Sequence, residues 1–424
     1  MKDTHTYTTH NGLTTFTLLS PGNEVVRLFL TIALPLEGKD SLFVAFLGDM
    51  LERGSTRFNK DVYEEKLEFL GAQVNIQGAG THVHISLTSR AVVLKEVLAL
   101  LVSALKEPLF TEEEIAKVIK EYAQNMREEK DNSRALSQGL FARKLYTEKE
   151  EGYIPSIEIR ERQLKKIDAV FLAKLHEMLF VSPWVVSVAG DEGALTQAVT
   201  SLSVLHKGAE GKVLPDRLPT LIPAQKEFLV VPEKQNIEFF FGNRLPLTLS
   251  DEAFLAFSFG LDVLGKRGGF SGRLMSIVRE KEGLTYSIYA WILGATARTA
   301  GHWQIATFFT PKDAPQGIAS TMREIRLIAE KGVTDMDVKR YKELLSNQFR
   351  LAHESVSSTL SLYHNALVAG RTPDEVAEYP ARIARLTKKA VNEALRTYLK
   401  PEAVVITGAG PTAGLVQDTH KKKA

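Results

Sequence analysis

The sequence predicts an α+β fold built from two similar domains, each an antiparallel β-sheet layered with α-helices. The chain has 424 residues, more than one ordinary hydrophobic core needs. The order of predicted helices and strands in the first half returns in the second half. Strands are grouped in pairs that helices follow, which favours layered sheets over a doubly wound parallel sheet. We therefore expect domains at residues 1–207 and 226–424, joined by a linker at 208–225.

The linker is predicted from its prolines and glycines. Residues 208–225 contain Pro215, Pro219 and Pro223 together with Gly208 and Gly211, and they lack sustained hydrophobic periodicity. Residues of these two types interrupt helices and strands. We therefore expect the segment to be a linker between two halves that repeat the same order of helices and strands.

Two consecutive helices mark the same place in each half. In the first half a helix at 90–106 precedes one at 115–129, and in the second a helix at 315–331 precedes one that ends near residue 353. Thr111 and Thr334, each followed by acidic residues, suit N-caps beside the positive end of the second helix. Helices at 168–179 and 388–399 then lead through a proline into β-branched strands. A duplication explains this correspondence.

Six further segments have the composition of strands: 25–34, 73–88, 227–231, 237–242, 286–293 and 302–310. Within 81–87, His82, His84 and Ser86 alternate with apolar residues, as in a half-buried antiparallel strand. Two histidines without a nearby third ligand indicate a polar strand face and not a metal site. His353 and His364 lie in charged helical stretches, where we expect surface side chains.

Composition excludes several classes of function. The formal net charge is +2, which gives little attraction to nucleic acid. The chain has 0 cysteines, so it has no disulfide, thiolate zinc site or cysteine nucleophile. The N-terminus is polar, and no apolar stretch has the length of about 18 residues that spans a membrane. We expect a cytoplasmic protein without nucleic-acid or membrane partners.

Residues 260–266 fit the first seven positions of a phosphate-binding loop. The next residue is Arg267, where magnesium coordination needs serine or threonine. The preceding residues, 254–259, have the pattern of a helix and not of a strand. Nucleotide binding is therefore not expected.

Two segments carry chemistry, one in each half. A helix at 41–53 contains Ala45, Gly48 and Asp49, and a turn at 71–75 ends in Asn75. In the second half, Gly268-Gly269-Phe270-Ser271-Gly272-Arg273-Leu274 leads into Arg279-Glu280-Lys281-Glu282-Gly283-Leu284-Thr285-Tyr286. These segments resemble the insulinase or pitrilysin-type zinc peptidases, which include the mitochondrial processing peptidase. The resemblance covers nearly the whole chain and implies the metallohydrolase fold of that family.

In that family the first helix carries H-x-x-E-H, an inverted zinc motif whose three side chains share one helix face. A further glutamate ligand lies on a later helix. Here the motif positions are Ala45, Gly48 and Asp49, and the later ligand position falls near Asn125 or Met126. Alanine and glycine have no donor for a metal. The zinc motif is degenerate, and we expect no metal cofactor in this chain.

The resemblance implies roles for the second half. Arg279 and Tyr286 correspond to residues that hold the substrate carbonyl, with Gly283 at the turn between them. Fixed donors of this kind gain strength as that oxygen becomes an oxyanion. The glycines at 265, 268, 269 and 272 lie where the noncatalytic subunit of mitochondrial processing peptidase has its glycine-rich substrate loop. The implied substrate-binding residues are Asn75, Gly268, Gly269 and Gly283.

Some members of the family work in pairs, in which one chain supplies the zinc motif and the other the arginine and tyrosine. This chain resembles the second type. The leading hypothesis is a noncatalytic subunit of a hetero-oligomeric zinc metalloendopeptidase, whose homologous partner holds Zn and binds an extended peptide by β-addition. One alternative is an inactive peptide-binding or assembly protein that pairs with itself as a homodimer. Another is a peptidase with an unrecognised metal site.

Overall fold

The structure is a computed structural model that describes residues 4–209, 219–266 and 272–415. Two β-sheets organise these residues. The first has six strands: β1 Thr4–His10, β2 Leu13–Leu19, β3 Val25–Ala33, β4 Gln73–Ala79, β5 His82–Arg90 and β6 Trp184–Gly190. The second has five strands: β7 Gln225–Val230, β8 Ile237–Arg244, β9 Ile288–Leu293, β10 His302–Phe309 and β11 Val405–Gly410.

Helices cover both sheets. In the first half they are α1 Ser41–Leu51, α2 Lys60–Phe69, α3 Leu94–Lys106, α4 Glu112–Glu129, α5 Ser133–Leu145, α6 Ile157–Leu164, α7 Ala169–Phe180 and α8 Glu192–Ser203. In the second half they are α9 Glu252–Gly265, α10 Ala314–Lys331, α11 Asp335–Leu351, α12 Val356–Val368, α13 Pro373–Ala377, α14 Tyr379–Arg385 and α15 Lys388–Tyr398. A π-helix spans Met275–Lys281, and short 3-10 helices span Gly38–Asp40, Ala91–Val93 and Pro401–Ala403.

The two sheets repeat one topology. The first runs β1-β2-β6-β3-β5-β4 and the second runs β7-β11-β8-β10-β9, so five strands correspond in order. The α+β class is confirmed, although each sheet contains one parallel pair, β2 with β6 and β7 with β11. The last strand of each half arrives after a series of helices, and such a long crossover permits parallel pairing. The shared topology agrees with a duplication.

The predicted helix starts are confirmed at their caps. The Thr111 side chain accepts a hydrogen bond from the Glu114 backbone N–H, and Thr334 accepts one from Asp337. Thr334 and Asp337 form a complete capping box. In the first half α4 therefore begins three residues earlier than the apolar periodicity indicated, because Glu112 to Glu114 already form its first turn.

Strands β1 and β2 were not predicted from the sequence, where the N-terminus was noted only as polar. They form a hairpin around Asn11 and Gly12, whose φ angles are 48° and 82°. Side chains of β1 at positions 5–10 are all exposed, so no apolar alternation marks it as a strand. No strand of the described second half corresponds to β1.

Each sheet packs its own core, but one helix of each half crosses to the other sheet. Helix α5 lies on β11 and β8 of the second sheet, where Phe141 meets Phe240. Helix α12 lies on β6, β3 and β2 of the first sheet, where Tyr363 stacks on Phe16 with ring centroids 4.9 Å apart. The halves are thus joined by a reciprocal exchange of helices. The division at 208–225 stays a prediction, and residues 210–218 of it lie outside the described residues.

Within the described ranges, no helix is both long enough and apolar enough to cross a lipid bilayer.

Candidate functional site

Helix α1 lies directly against strand β4 at two glycines. A Cβ atom on Gly48 would come within 2.9 Å of the Gln77 carbonyl carbon and closer still to the Gly78 nitrogen. A Cβ atom on Gly78 would stand 2.7 Å from the Ala45 Cα atom. Side-chain atoms do not fit at such separations, so the two backbones touch. Gly48 occupies the position of the motif glutamate, and the packing at this point leaves no room for one.

Asp49 is the one motif position that carries a possible donor. Its Oδ2 atom accepts a hydrogen bond of 2.6 Å from the Tyr122 hydroxyl on α4. Burial raises the pKa of Asp49, and the bond from Tyr122 opposes that rise only in part. Burial also raises the pKa of Glu52, which accepts a 2.6 Å hydrogen bond from the Ile76 backbone on β4. Both carboxyl groups are therefore occupied by protein donors.

A buried arginine forms ion pairs in the same region. The Arg53 guanidinium, 8% exposed, contacts Glu114 at 3.0 Å and Glu121 at 2.7 Å, both on α4. The later ligand position is equally unsuitable for zinc, because Asn125 is exposed and Met126 lies in the core. Guanidinium groups repel a metal cation, and charge-assisted bonds already satisfy the glutamates.

A cavity of about 430 Å³ remains between α1, α2, β4 and α4. It is lined by Asp49, Glu52, Arg53, Lys60, Tyr63, Glu64, Leu67, Val74, Asn75, Ile76 and Glu121. The residues of the degenerate motif do not fit a zinc ion, since Ala45 and Gly48 offer no donor and Asp49 is engaged by Tyr122. Across the described residues, no group of three or more histidine, aspartate or glutamate side chains could hold a metal.

Arg279 and Tyr286 are brought together by the π-helix and the turn that leads to β9. Arg279 lies in the π-helix, a rare form that is frequent at functional sites. Gly283 has a φ of 66°, a left-handed conformation that glycine adopts without strain and that reverses the chain. The Arg279 guanidinium carbon lies 5.1 Å from the centre of the Tyr286 ring, a cation–π contact. Tyr286 is 74% exposed.

Charged side chains brace this turn from α10. Arg323 contacts Glu282 at 2.6 Å, and Glu324 contacts Arg273 at 3.1 Å. Burial acts to raise the pKa of Glu282, but hydrogen bonds from Ser320 and Arg323 outweigh it and the pKa is lowered. Glu282 is therefore ionised at neutral pH and holds the residue next to Gly283 in place.

The predicted glycine-rich segment is described only at its ends. Gly268 and Gly269 lie outside the described residues. Gly265 and Gly272 pack against each other, because a Cβ atom on Gly272 would stand 2.8 Å from the Gly265 Cα atom. Residues 260–265 lie inside helix α9 and do not form a phosphate-binding loop.

His364 was predicted at the surface, and this was wrong. It is buried where α12 covers the first sheet, and its ring lies 2.9 Å from both the Thr31 and the Ser187 hydroxyls. Burial is the main cause that lowers its pKa to about 3, and nearby His84 adds to the effect. His84 in turn lies 3.0 Å from the Thr31 hydroxyl. The helix exchange, which sequence periodicity does not reveal, is the reason for this burial.

The second sheet has a matching buried contact. Tyr146, which follows α5, lies with its hydroxyl 2.6 Å from the His302 ring on β10. Burial lowers the pKa of His302 to about 4. Asn75 has a different setting: it lies on edge strand β4 and lines both the 430 Å³ cavity and one of about 280 Å³ beneath α12. Asn75 therefore belongs to the first sheet, whereas Arg279 and Tyr286 lie beside the second.

Comparisons with known proteins agree on one group of relatives. A family model described as the peptidase M16 inactive domain matches residues 185–345. The non-peptidase homolog YmxG of Helicobacter pylori is 22% identical over 371 residues, which are 86% of this chain and 83% of that protein. A crystal structure of a peptidase M16 inactive domain from Pseudomonas fluorescens has a TM-score of 0.84 at 20% identity, covering 97% of this chain and 98% of that one.

A larger protein contains the same fold. The periplasmic protease PqqL from Escherichia coli matches with a TM-score of 0.75 at 13% identity, over 97% of this chain and 46% of that one. The matched family model, the degenerate motif on α1 and the turn from Arg279 to Tyr286 agree with one another. Residues 185–345 match the family described as the peptidase M16 inactive domain, the described residues have the fold of the solved M16 inactive domain, and α1 lacks the zinc motif.

Proposed function

We propose that this protein is the noncatalytic subunit of a two-chain zinc metalloendopeptidase and supplies Arg279 and Tyr286 to a site completed by its partner. The observation that carries the proposal is the contact of the Arg279 guanidinium with the Tyr286 ring at 5.1 Å, on a turn where Tyr286 is 74% exposed. A tyrosine in a core would be covered. This one is held in a defined position at the surface.

The two side chains suit a peptide carbonyl. A guanidinium and a phenol are both hydrogen-bond donors, and neither needs to change its protonation state to bind an oxygen. Their bonds strengthen when the carbonyl oxygen gains negative charge, so they stabilise the transition state more than the substrate. Removal of one such donor typically slows turnover by about 100-fold or more.

The hydrolytic half of the chemistry would come from a homologous partner. The partner's zinc would activate water, which α1 of this chain cannot do because Gly48 touches β4 and Tyr122 engages Asp49. The match to 46% of PqqL supports a pairing of two units, because a chain of this size corresponds to about half of a larger protease. An extended peptide would bind along an edge strand of the partner by β-addition.

The test is reconstitution. The chain is purified alone and together with a homologous H-x-x-E-H chain encoded by the same organism, and cleavage of an unstructured peptide library is measured. We expect no cleavage by this chain alone and cleavage by the pair. In the pair, Arg279→Ala and Tyr286→Phe should lower kcat at least tenfold without loss of assembly.

Matched controls are available in the same chain. Arg396→Ala changes an exposed arginine on α15, and Tyr7→Phe changes an exposed tyrosine on β1. Both should leave turnover within twofold of the unmodified pair. Equal rates for Arg279→Ala and Arg396→Ala would remove the proposed role of the turn.

A second function is favoured by one comparison. YmxG is called a non-peptidase homolog, so a chain of this kind could bind extended peptides or assemble with itself without cleavage. In that case no zinc-motif chain would restore hydrolysis, and labelled peptides would bind the purified protein and be recovered intact. The expected cytoplasmic location remains a prediction that cell fractionation would test.

A further inference from the structure

The cavity of about 430 Å³ in the first half has the volume of a small-molecule pocket. Neither Arg279 nor Tyr286 lines it, so it differs from the proposed composite site. Part of its wall is apolar, because Leu67 of α2 and Ile76 of β4 are buried residues that line it. Such a wall suits the alkyl part of a ligand.

The charged side chains of the cavity are mainly acidic. Four carboxyl and two basic side chains line it: Asp49, Glu52, Glu64, Glu121, Arg53 and Lys60. Arg53 is already paired with Glu121 and Glu114. Lys60 lies 3.6 Å from Glu64. Asp49 and Glu52 form no such pair within the described ranges, so the cavity has two carboxyl groups that no cation contacts.

Asp49 and Glu52 each keep one carboxyl oxygen for a ligand. Oδ2 of Asp49 accepts a hydrogen bond from Tyr122, and Oε1 of Glu52 accepts one from the Ile76 backbone. Across the part of the chain that the structure describes, their second oxygens accept no hydrogen bond. A carboxylate has lone pairs for about four donors, so both groups are open to a further one.

The hydroxyl of Tyr63 points to a ligand independently of the carboxyl groups. Tyr63 of α2 lines the cavity and is 3% exposed. Its buried oxygen has no hydrogen-bond partner among the described residues, an arrangement that is rare in folded proteins. Burial raises the pKa of Tyr63, and the charge of Glu52 adds to the rise, so the hydroxyl lies near that carboxyl group. A ligand with N–H donors beside Glu52 would satisfy both groups.

We propose that the cavity binds an alkyl chain that ends in a cationic nitrogen, as lysine and arginine side chains and free alkylamines do. The cation donates hydrogen bonds to the open oxygens of Asp49 and Glu52 and to the Tyr63 hydroxyl, and charge-assisted bonds of this kind are strong. Its alkyl chain packs against Leu67 and Ile76. An anion would meet two carboxyl groups instead, and the described residues offer a metal ion no set of three ligands.

Isothermal titration calorimetry of the full chain without a partner tests the proposal, so its outcome is separate from that of the reconstituted peptidase. Three probes are cationic: n-butylamine, acetyl-lysine amide and acetyl-arginine amide. Acetyl-norleucine amide has the alkyl chain without the charge. We expect the cationic probes to bind with a dissociation constant of about 1 mM or less, and the neutral one about tenfold more weakly. Equal binding of n-butylamine and acetyl-lysine amide would identify the alkylammonium group as sufficient, whereas tighter binding of the amide would identify a basic residue of a peptide.

Two substitutions locate the site. Glu52→Gln keeps an acceptor for the Ile76 backbone but removes the charge, and it should weaken the binding of acetyl-lysine amide about tenfold or more. Tyr63→Phe removes a hydroxyl without a partner among the described residues, so it should weaken binding about threefold and leave thermal unfolding unchanged. Glu65→Gln, at an exposed position on α2, is the matched control and should leave the affinity unchanged.

Three results would each overturn the proposal. The first is a chain that binds none of the cationic probes, and the second is equal affinity for the lysine and norleucine probes. The third is equal affinity of the Glu52→Gln and Glu65→Gln proteins for acetyl-lysine amide.

Discussion

The two halves share a glycine turn between a helix and a strand, but the side chains on either side of that turn differ. In the first half, Gly71 follows α2 and leads into β4; in the second, Gly283 follows the π-helix and leads toward β9. Both glycines have left-handed φ angles, 61° and 66°. Four residues before and three residues after each glycine, the first half has Leu67 and Val74, and the second has Arg279 and Tyr286.

The difference shows that the two halves share the backbone turn but not the side chains around it. Leu67 is 7% exposed and belongs to the first core, whereas Arg279 is half-buried and lies over an exposed tyrosine. The first half also has no space for a glutamate at position 48, since Gly48 touches β4. At this turn the first half therefore has a buried core residue, Leu67, whereas the second half has two hydrogen-bond donors, Arg279 and Tyr286, near the surface.

The largest expected effect concerns the buried histidine that each sheet carries beneath a helix of the other half. His302 and His364 are neutral in the folded protein, with pKa values lowered by burial to about 4 and about 3. An unfolded histidine takes up a proton near pH 6.5, so acid favours the unfolded chain. Their contribution is complete above pH 6.5 and is lost as pH falls toward the folded values. Between pH 6.5 and pH 5 the protonation of each histidine should lower the free energy of unfolding by about 2 kcal/mol.

Urea unfolding at several pH values measures this loss. His302→Gln and His364→Gln should each flatten the pH dependence by about one proton, and the double variant by about two. Asp49 and Glu52 have raised pKa values and act in the opposite sense, so the comparison is between each variant and the unmodified chain. Identical slopes for all four proteins would contradict the assignment.

Gly48→Ala tests the close packing in the first half. The new Cβ atom would lie 2.9 Å from the Gln77 carbonyl carbon, and backbone atoms cannot move aside as a flexible side chain can. We expect a loss of about 3 kcal/mol in the free energy of unfolding. Gly193→Ala is the control, because its Cβ in helix α8 meets its nearest atom at 3.4 Å and the change should stabilise slightly. A Gly48→Ala protein as stable as the unmodified one would mean that α1 and β4 can move apart at the degenerate zinc motif.

Truncation at the two corresponding positions sharpens the contrast directly. Leu67→Ala removes a buried side chain at the edge of the 430 Å³ cavity and should destabilise the protein by about 2 kcal/mol. Arg279→Ala changes a half-exposed residue and should alter stability by less than about 0.5 kcal/mol. Thermal unfolding distinguishes the two. Equal losses would show that Arg279 has a mainly structural role.

The smallest expected effect concerns the two turns. Gly71→Ala and Gly283→Ala meet nothing within 4 Å, so each should cost only the strain of a left-handed φ, about 1 kcal/mol. The stability losses should be equal, while in the reconstituted peptidase only Gly283→Ala should slow cleavage. A slower reaction with Gly71→Ala would show that the first-half turn also contacts substrate.

Much of the fold could be predicted because its signals are local. Thr111 and Thr334 mark helix starts, and Gly71 and Gly283 mark turns, through bonds made within a few residues. The burial of His364 could not be predicted, because it depends on α12 lying on a sheet formed far earlier in the chain. The contact of Gly48 with Gly78 is hidden for the same reason. Arg279 and Tyr286 were proposed because residues 279–286 resemble a motif of the zinc peptidases, whereas the π-helix that carries Arg279 has no sequence signal of comparable strength.

The exchange of α5 and α12 bears on how this chain could be divided. A fragment that stops before the linker would leave the Phe141 face of α5 in water and the first sheet without Tyr363. A fragment that begins after the linker would lack α5 over β8 and β11. Neither fragment can complete its own core surface, but together they contain the contacts of α5 and α12 with both sheets. Split at the linker and produced together, the two pieces should reassemble by fragment complementation, while either piece alone should aggregate.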